Sequence, residues 1–218
     1  MTARRAAGGL AIAIALVLLA GPGAGRAEDL VAAGARWWSV SPDPANPVAC
    51  VTCHDDPAAT RGWAASFPKV RPLPPPHTRV MTLFQATAEA VARHYRLPDP
   101  RPAAAAITAY LTALAAGLPL TPGVSLGQPV FPERIAQLAA SVKRGERVFA
   151  RGCQGCHHAP EVAPRLRGFP REHDGLVVTL ESFLESHAPR ARPLSWDSPS
   201  TADVAAYLTA RLAREEHP

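Results

Sequence analysis

The sequence predicts an all-α protein of two tandem domains joined by a Pro/Gly-containing linker. Three observations carry that expectation. Segments in the middle of the chain recur near its end, strand signals are nearly absent, and the stretch between the repeats lacks helical periodicity. That stretch, Gly117 to Pro132, holds three Gly and four Pro. A length of 218 residues allows one or two domains at about 100–200 residues each. With 47% apolar residues, 24 Pro and 15 Gly, the composition excludes a low-complexity, collagen-like or multi-span membrane chain. The expected division is 28–118 for the first domain, 119–132 for the linker and 133–218 for the second.

Residues 1–27 read as a secretory signal. Arg4 and Arg5 give a positive start, Leu10 to Ala20 an apolar stretch, and Gly25 and Ala27 the small residues of a cleavage site. The apolar stretch is short for a retained membrane anchor, which is the lesser alternative. Removing 1–27 takes away Arg4, Arg5 and Arg26 but no acid, so the formal charge falls from +5 to +2. No basic stripe with interleaved aromatics remains, which argues against nucleic acid. The expected location is the periplasm, with no membrane span in the mature chain.

The repeated segments are helical in pattern. Val80-Met81-Thr82-Leu83 recurs as Val177-Val178-Thr179-Leu180, each opening a helix. Ala106 to Ala113 recurs as Asp203 to Ala210, placing Ile107, Tyr110 and Leu111, or Val204, Tyr207 and Leu208, on one face. In the second half, Ser141 to Arg151 forms a leading helix that runs into Cys153. Ser200 or Thr201 is the expected cap of the last helix, with Asp203 in its first turn favouring the dipole. In the first half, three Pro between Ser39 and Pro47 interrupt the approach to Cys50 and detach the leading helix.

All four cysteines fall in two identical motifs. Cys50-Val51-Thr52-Cys53-His54 and Cys153-Gln154-Gly155-Cys156-His157 are both C-x-x-C-H and begin 103 residues apart. The motif is the signature of covalent c-type haem attachment. Two thiols a helical turn apart form thioethers with the haem vinyl groups, and the adjacent imidazole reaches the iron. A zinc ribbon would place its C-x-x-C pairs about 15–20 residues apart, and disulfides leave the repeated His unexplained. Two haem c groups are therefore the expected cofactors. Cys50, Cys53, Cys153 and Cys156 would bind them, with His54 and His157 as the proximal iron ligands.

On these residues the chain resembles class I cytochrome c, twice over. Gly145-x-x-Val148-Phe149 and Tyr207 look like that family's crossing of N- and C-terminal helices. Pro164-Arg165-Leu166-Arg167-Gly168 resembles its P-x-L-x-G stretch, which implies that the Pro164 carbonyl accepts a hydrogen bond from His157. The first half lacks such a stretch. Its layout is more similar to the sphaeroides haem protein family and the A subunit of the sulfur-oxidising cytochrome complex.

The distal ligands are the open question. The chain beyond residue 27 has a single Met, Met81, and its repeat partner is Val178, so core packing suits it better than iron ligation. His94 and His187 both lie late on the helix before the last one, 40 and 30 residues beyond their proximal His. They are the expected distal ligands, as that position is in the two comparison families. His77 and Met81 are rivals for the first haem, and His173 for the second. Trp37, Trp38, Trp63 and Trp196 read as haem-pocket and interface packing, and Asp55 and Asp56 as solvated loop charges.

Bis-His ligation fills both axial positions and suits electron transfer. The leading expectation is a periplasmic di-haem electron carrier, an electron carrier rather than an enzyme. Its partners would be redox proteins: another cytochrome, a periplasmic oxidoreductase or a membrane complex. The alternatives are a haem enzyme of sulfur-compound oxidation, similar to thiosulfate dehydrogenases, and a haem-based small-ligand sensor. Those enzymes place a Cys on or beside one iron, and this chain has no fifth Cys.

Overall fold

The computed structural model describes residues 27–72, 78–174, 176–187 and 194–216. The expected export leader, except Ala27, lies outside the described residues, as does His77. The first half contains α1 (Ala27–Ser39), α2 (Cys50–Cys53), α3 (Pro57–Ala65), β1 (Lys69–Pro72), β2 (Thr78–Met81), α4 (Leu83–Tyr95) and α5 (Arg101–Leu114). The second contains α6 (Pro132–Gly152), α7 (Ala159–Val162), a 3-10 turn (Ala163–Gly168), β3 (Arg171–His173), β4 (Leu176–Val178), α8 (Leu180–Ser186) and α9 (Pro199–Glu216).

Local chemistry explains where these helices start. Thr82 and Gln85 form a reciprocal capping box on α4: the Gln85 N–H donates to Thr82 Oγ1 at 3.1 Å, and the Thr82 N–H to Gln85 Oε1 at 3.3 Å. Thr179 and Ser182 repeat the arrangement on α8, at 3.2 and 2.9 Å. Asp56 is not a free loop charge. It caps α3 by accepting from the Ala58 and Ala59 N–H groups at 2.8 and 3.2 Å. The last helix starts earlier than expected, because Pro199 suits its first turn and Ser198 accepts from the Thr201 N–H at 3.2 Å. Thr201 itself is turned inward, donating to the Ser195 carbonyl at 2.7 Å.

Each half is built on a crossing of its first and last long helices, α1 over α5 and α6 over α9. Glycine makes both crossings possible. A Cβ on Gly145 would lie 1.8 Å from the Asp203 carbonyl oxygen and 2.9 Å from Tyr207 Cβ. A Cβ on Gly34 would lie 2.0 Å from the Ala106 oxygen and 2.7 Å from Tyr110 Cβ. The leading helix of the first half is therefore not detached. The three prolines interrupt the chain after the crossing, and α1 packs as α6 does. Asp203 is more than a dipole charge: its buried carboxylate accepts from Ser141 and from Arg144 Nε at 2.8 Å, tying α6 to α9.

Two short antiparallel hairpins supplement the all-α frame, at places where strand signals in the sequence are nearly absent. Val70 pairs with Val80, and Glu172 with Val177. Strands of three or four residues are too short for an alternating pattern to register. A Phe-Pro pair precedes each hairpin, at Phe67-Pro68 and Phe169-Pro170. The hairpins join the two halves reciprocally: β1 and β2 pack on α6 and α9, while β3 and β4 reach α1 and α5. Val70 and Val80 share a buried cluster with Leu138, Ala202 and Ala206. On the other side, Phe84, Ala88 and Ala104 pack with Val177 and Trp196. No helix among the described residues is long and apolar enough to cross a membrane.

Candidate functional site

The first C-x-x-C-H motif lies on the single turn of α2, facing a cavity of about 220 Å³. His54 and His94 line the same cavity, although 40 residues separate them in sequence. The His54 ring lies between Trp38 and Trp63, with centroids 5.4 and 5.9 Å away. His94 sits in the last turn of α4, and Asn46 donates to its backbone carbonyl at 2.9 Å. That bond ties the loop before the motif to the helix end. Tyr95 closes the inner wall. Its hydroxyl donates to the Trp37 carbonyl at 2.7 Å and lies 3.2 Å from Cys50 Sγ.

Electrostatics in this cavity favour neutral imidazole and expect an anion. Burial, then the nearby Arg71 and His94, pushes the His54 imidazole below its ordinary value. Burial likewise raises the Cys50 thiol. Arg71 lines the cavity with its guanidinium 5.7 Å from the Trp63 ring centre, and no carboxylate forms an ion pair with it among the described residues. Burial depresses its value as well. Sequence reasoning missed Arg71, because only the hairpin brings it beside the motif.

In the second half, Cys153 follows directly on α6, its N–H donating to the Phe149 carbonyl at 2.8 Å. His157 and His187 face each other with ring centroids 5.8 Å apart and planes inclined at 44°. Phe183 stacks on His187 with ring centroids 4.8 Å apart. Phe149, Leu184, Leu194, Val204 and Leu208 form the apolar cluster behind the motif. Burial raises the Cys153 thiol. No disulfide joins any of the four cysteines.

The rivals fall elsewhere. Met81 is fully buried with Phe67 and Ala86, outside the cavity that holds His54. His173 lies exposed on β3, 3.6 Å from Asp174 at the hairpin turn. Pro164 lies in the 3-10 turn, and no hydrogen bond joins its carbonyl to the His157 ring among the described residues. Among the described residues no three His, Cys, Asp or Glu side chains converge to hold a metal ion.

The tryptophans divide between the two expected tasks. Trp38 and Trp63 wall the first cavity. Trp196 packs edge-on to Phe84 at 5.6 Å, across the two halves.

No family profile matches the chain, and no curated protein matches it. A solved structure does. The crystal structure of SoxXA from P. pantotrophus superposes with a TM-score of 0.60 over 85% of this chain and 74% of that one, at 16% identity. The likeness is one of fold, and it supports an α-helical two-domain architecture consistent with tandem cytochrome c-like folds.

Proposed function

We propose that the protein is a di-haem c-type electron carrier with two histidines on each iron. Cys50 and Cys53 would hold the first haem and Cys153 and Cys156 the second, through thioethers. His54 with His94, and His157 with His187, would be the axial pairs. The observation that carries this reading is the spacing of His157 and His187. Two metal–imidazole bonds of about 2 Å each, plus about 1 Å from each nitrogen to its ring centre, span about 6 Å. The observed 5.8 Å fits one metal ion between the rings.

When bound, each haem supplies a one-electron redox centre. The chain's own residues do the rest. Trp38 and Trp63 both lie against the His54 ring and would help to fix its orientation. The depressed His54 value keeps that imidazole neutral and able to bind metal at neutral pH. Arg71, which lines the cavity, would offer its guanidinium to a haem propionate. With two histidines on each iron no coordination site would be left open, which would favour outer-sphere transfer between protein partners over substrate chemistry. The partners are other redox proteins, met in the periplasm after export.

Mass spectrometry of the chain expressed with c-type haem maturation tests the cofactor reading. Two covalent haem additions are expected, and Cys153→Ala with Cys156→Ala leaves one. A mature chain that carries no covalent haem contradicts the proposal.

A further inference from the structure

Lys69 is the first residue of β1 and is only 7% exposed. Its Nζ donates to Ser66 Oγ and Ser125 Oγ, both at 2.8 Å, and more distantly to the Trp63 carbonyl at 3.5 Å. The same nitrogen lies 4.9 Å from the Trp63 ring centre and 4.7 Å from that of Phe67. Among the described residues no carboxylate pairs with it. The charged groups that face it are cations: Arg71 on its own strand and Arg134 on α6. Across the hairpin, β2 adds Arg79 opposite Arg71. The α3 helix end and the 115–131 connection contribute the Trp63 ring and the Ser66 and Ser125 hydroxyls.

An ammonium in that setting loses hydration and is repelled by its neighbours, while two serine hydroxyls, one distant carbonyl and the ring faces compensate only in part. Burial first, then Arg71 and Arg134, brings Lys69 down to about 7. The Trp63 ring beneath its nitrogen lies 5.9 Å from the His54 ring. A charge at Nζ is therefore one aromatic ring away from an axial ligand of the first haem. The second half differs at the matching place. After Phe169-Pro170 it carries Arg171, whose guanidinium lies 4.9 Å from the Phe169 ring centre, and arginine keeps its charge throughout.

We propose that Lys69 is a redox-linked proton site that sets the potential of the first haem. The proposal rests on the reading of His54 as an axial ligand. One electron arriving from a donor protein lowers the charge at the first haem by one. The lone pair of the Lys69 amine then binds up to one proton from water, and oxidation by an acceptor protein releases it. Ser125 belongs to the 115–131 connection, so the proton site also depends on how that segment is held.

Potentiometric titration of the holoprotein between about pH 6 and 8 tests the proposal, centred on the Lys69 value of about 7. Protonated Lys69 favours the reduced state, so the potential of the first haem falls as pH rises through that value. Lys69→Met lowers the potential and flattens the profile. Lys69→Arg raises it and also flattens it. The two waves are assigned by the shift that His187→Ala gives the second. A first-haem potential that is flat in the wild type overturns the proposal without any variant. A slope that survives unchanged in both variants overturns it too. A chain without thioether-bound haem fails at an earlier and separate step, because its spectrum lacks the haem bands before any potential is measured; that outcome refutes the haem reading.

Discussion

Gly145→Ala tests whether the helix crossing organises the second half. The new methyl group would sit 1.8 Å from the Asp203 carbonyl oxygen and 2.9 Å from Tyr207 Cβ. Ordinary non-bonded contact is about 3.5 Å, so α6 and α9 must separate by more than an ångström. That separation strains the Arg144–Asp203 pair, now at 2.8 Å, and the Phe149–Tyr207 ring contact at 5.6 Å. Overpacking of this kind costs about 1–3 kcal/mol, and a clash with rigid backbone belongs at the upper end. Alanine regains about 1 kcal/mol of helix propensity over glycine. The net expectation is a loss of about 2 kcal/mol, or a melting temperature lower by about 4–8 °C for a chain of this size. Thermal unfolding followed by circular dichroism measures it. Gly168→Ala is the control, since a Cβ there meets nothing within 4 Å. A Gly145→Ala protein as stable as wild type would mean that the α6–α9 crossing tolerates a methyl group at its closest point.

Three further outcomes follow from the same contacts. Asp56→Ala removes the cap of α3 and should cost about 1 kcal/mol in urea unfolding; no change would mean the two bonds from Ala58 and Ala59 contribute nothing. Glu181 is buried beside Thr82 and Thr179, and burial, opposed by their hydrogen bonds, holds its carboxyl above the usual range. Its stabilising effect is full below the unfolded carboxylate value and is lost as pH rises through the raised folded value. Glu181→Gln should therefore gain stability relative to wild type at the higher pH end, and an unchanged difference across pH would contradict this. Arg71→Gln removes a cation from the first cavity and should lower the first haem's potential in a voltammetric measurement, whereas an unchanged value would detach Arg71 from that site.

Much of the helical frame was legible in single residues. Thr82 and Thr179 marked helix starts because capping is a local interaction between neighbours in sequence. Gly145 and Tyr207 announced a crossing because both sit in well-patterned helices. Gly34 escaped notice, although Gly34-x-x-Trp37-Trp38 has the same spacing as Gly145-x-x-Val148-Phe149. Three prolines after it broke the pattern that made the second half readable. The hairpins were illegible because strands of three and four residues show no period. Everything they position was hidden with them. Arg71 and Lys69 reach the first cavity and its wall only because β1 turns beneath Trp63. The histidines were legible as candidates through the repeat, but the shared cavity of His54 and His94 and the close approach of His157 and His187 depend on a fold that brings residues 40 and 30 apart together.

The most direct measurement is near-infrared magnetic circular dichroism of the ferric protein, in wild type and in His94→Ala and His187→Ala. Two bis-His signals are expected in wild type, and the loss of one in each variant. A methionine–iron charge-transfer band in wild type, or a full bis-His spectrum surviving either substitution, would contradict that expectation.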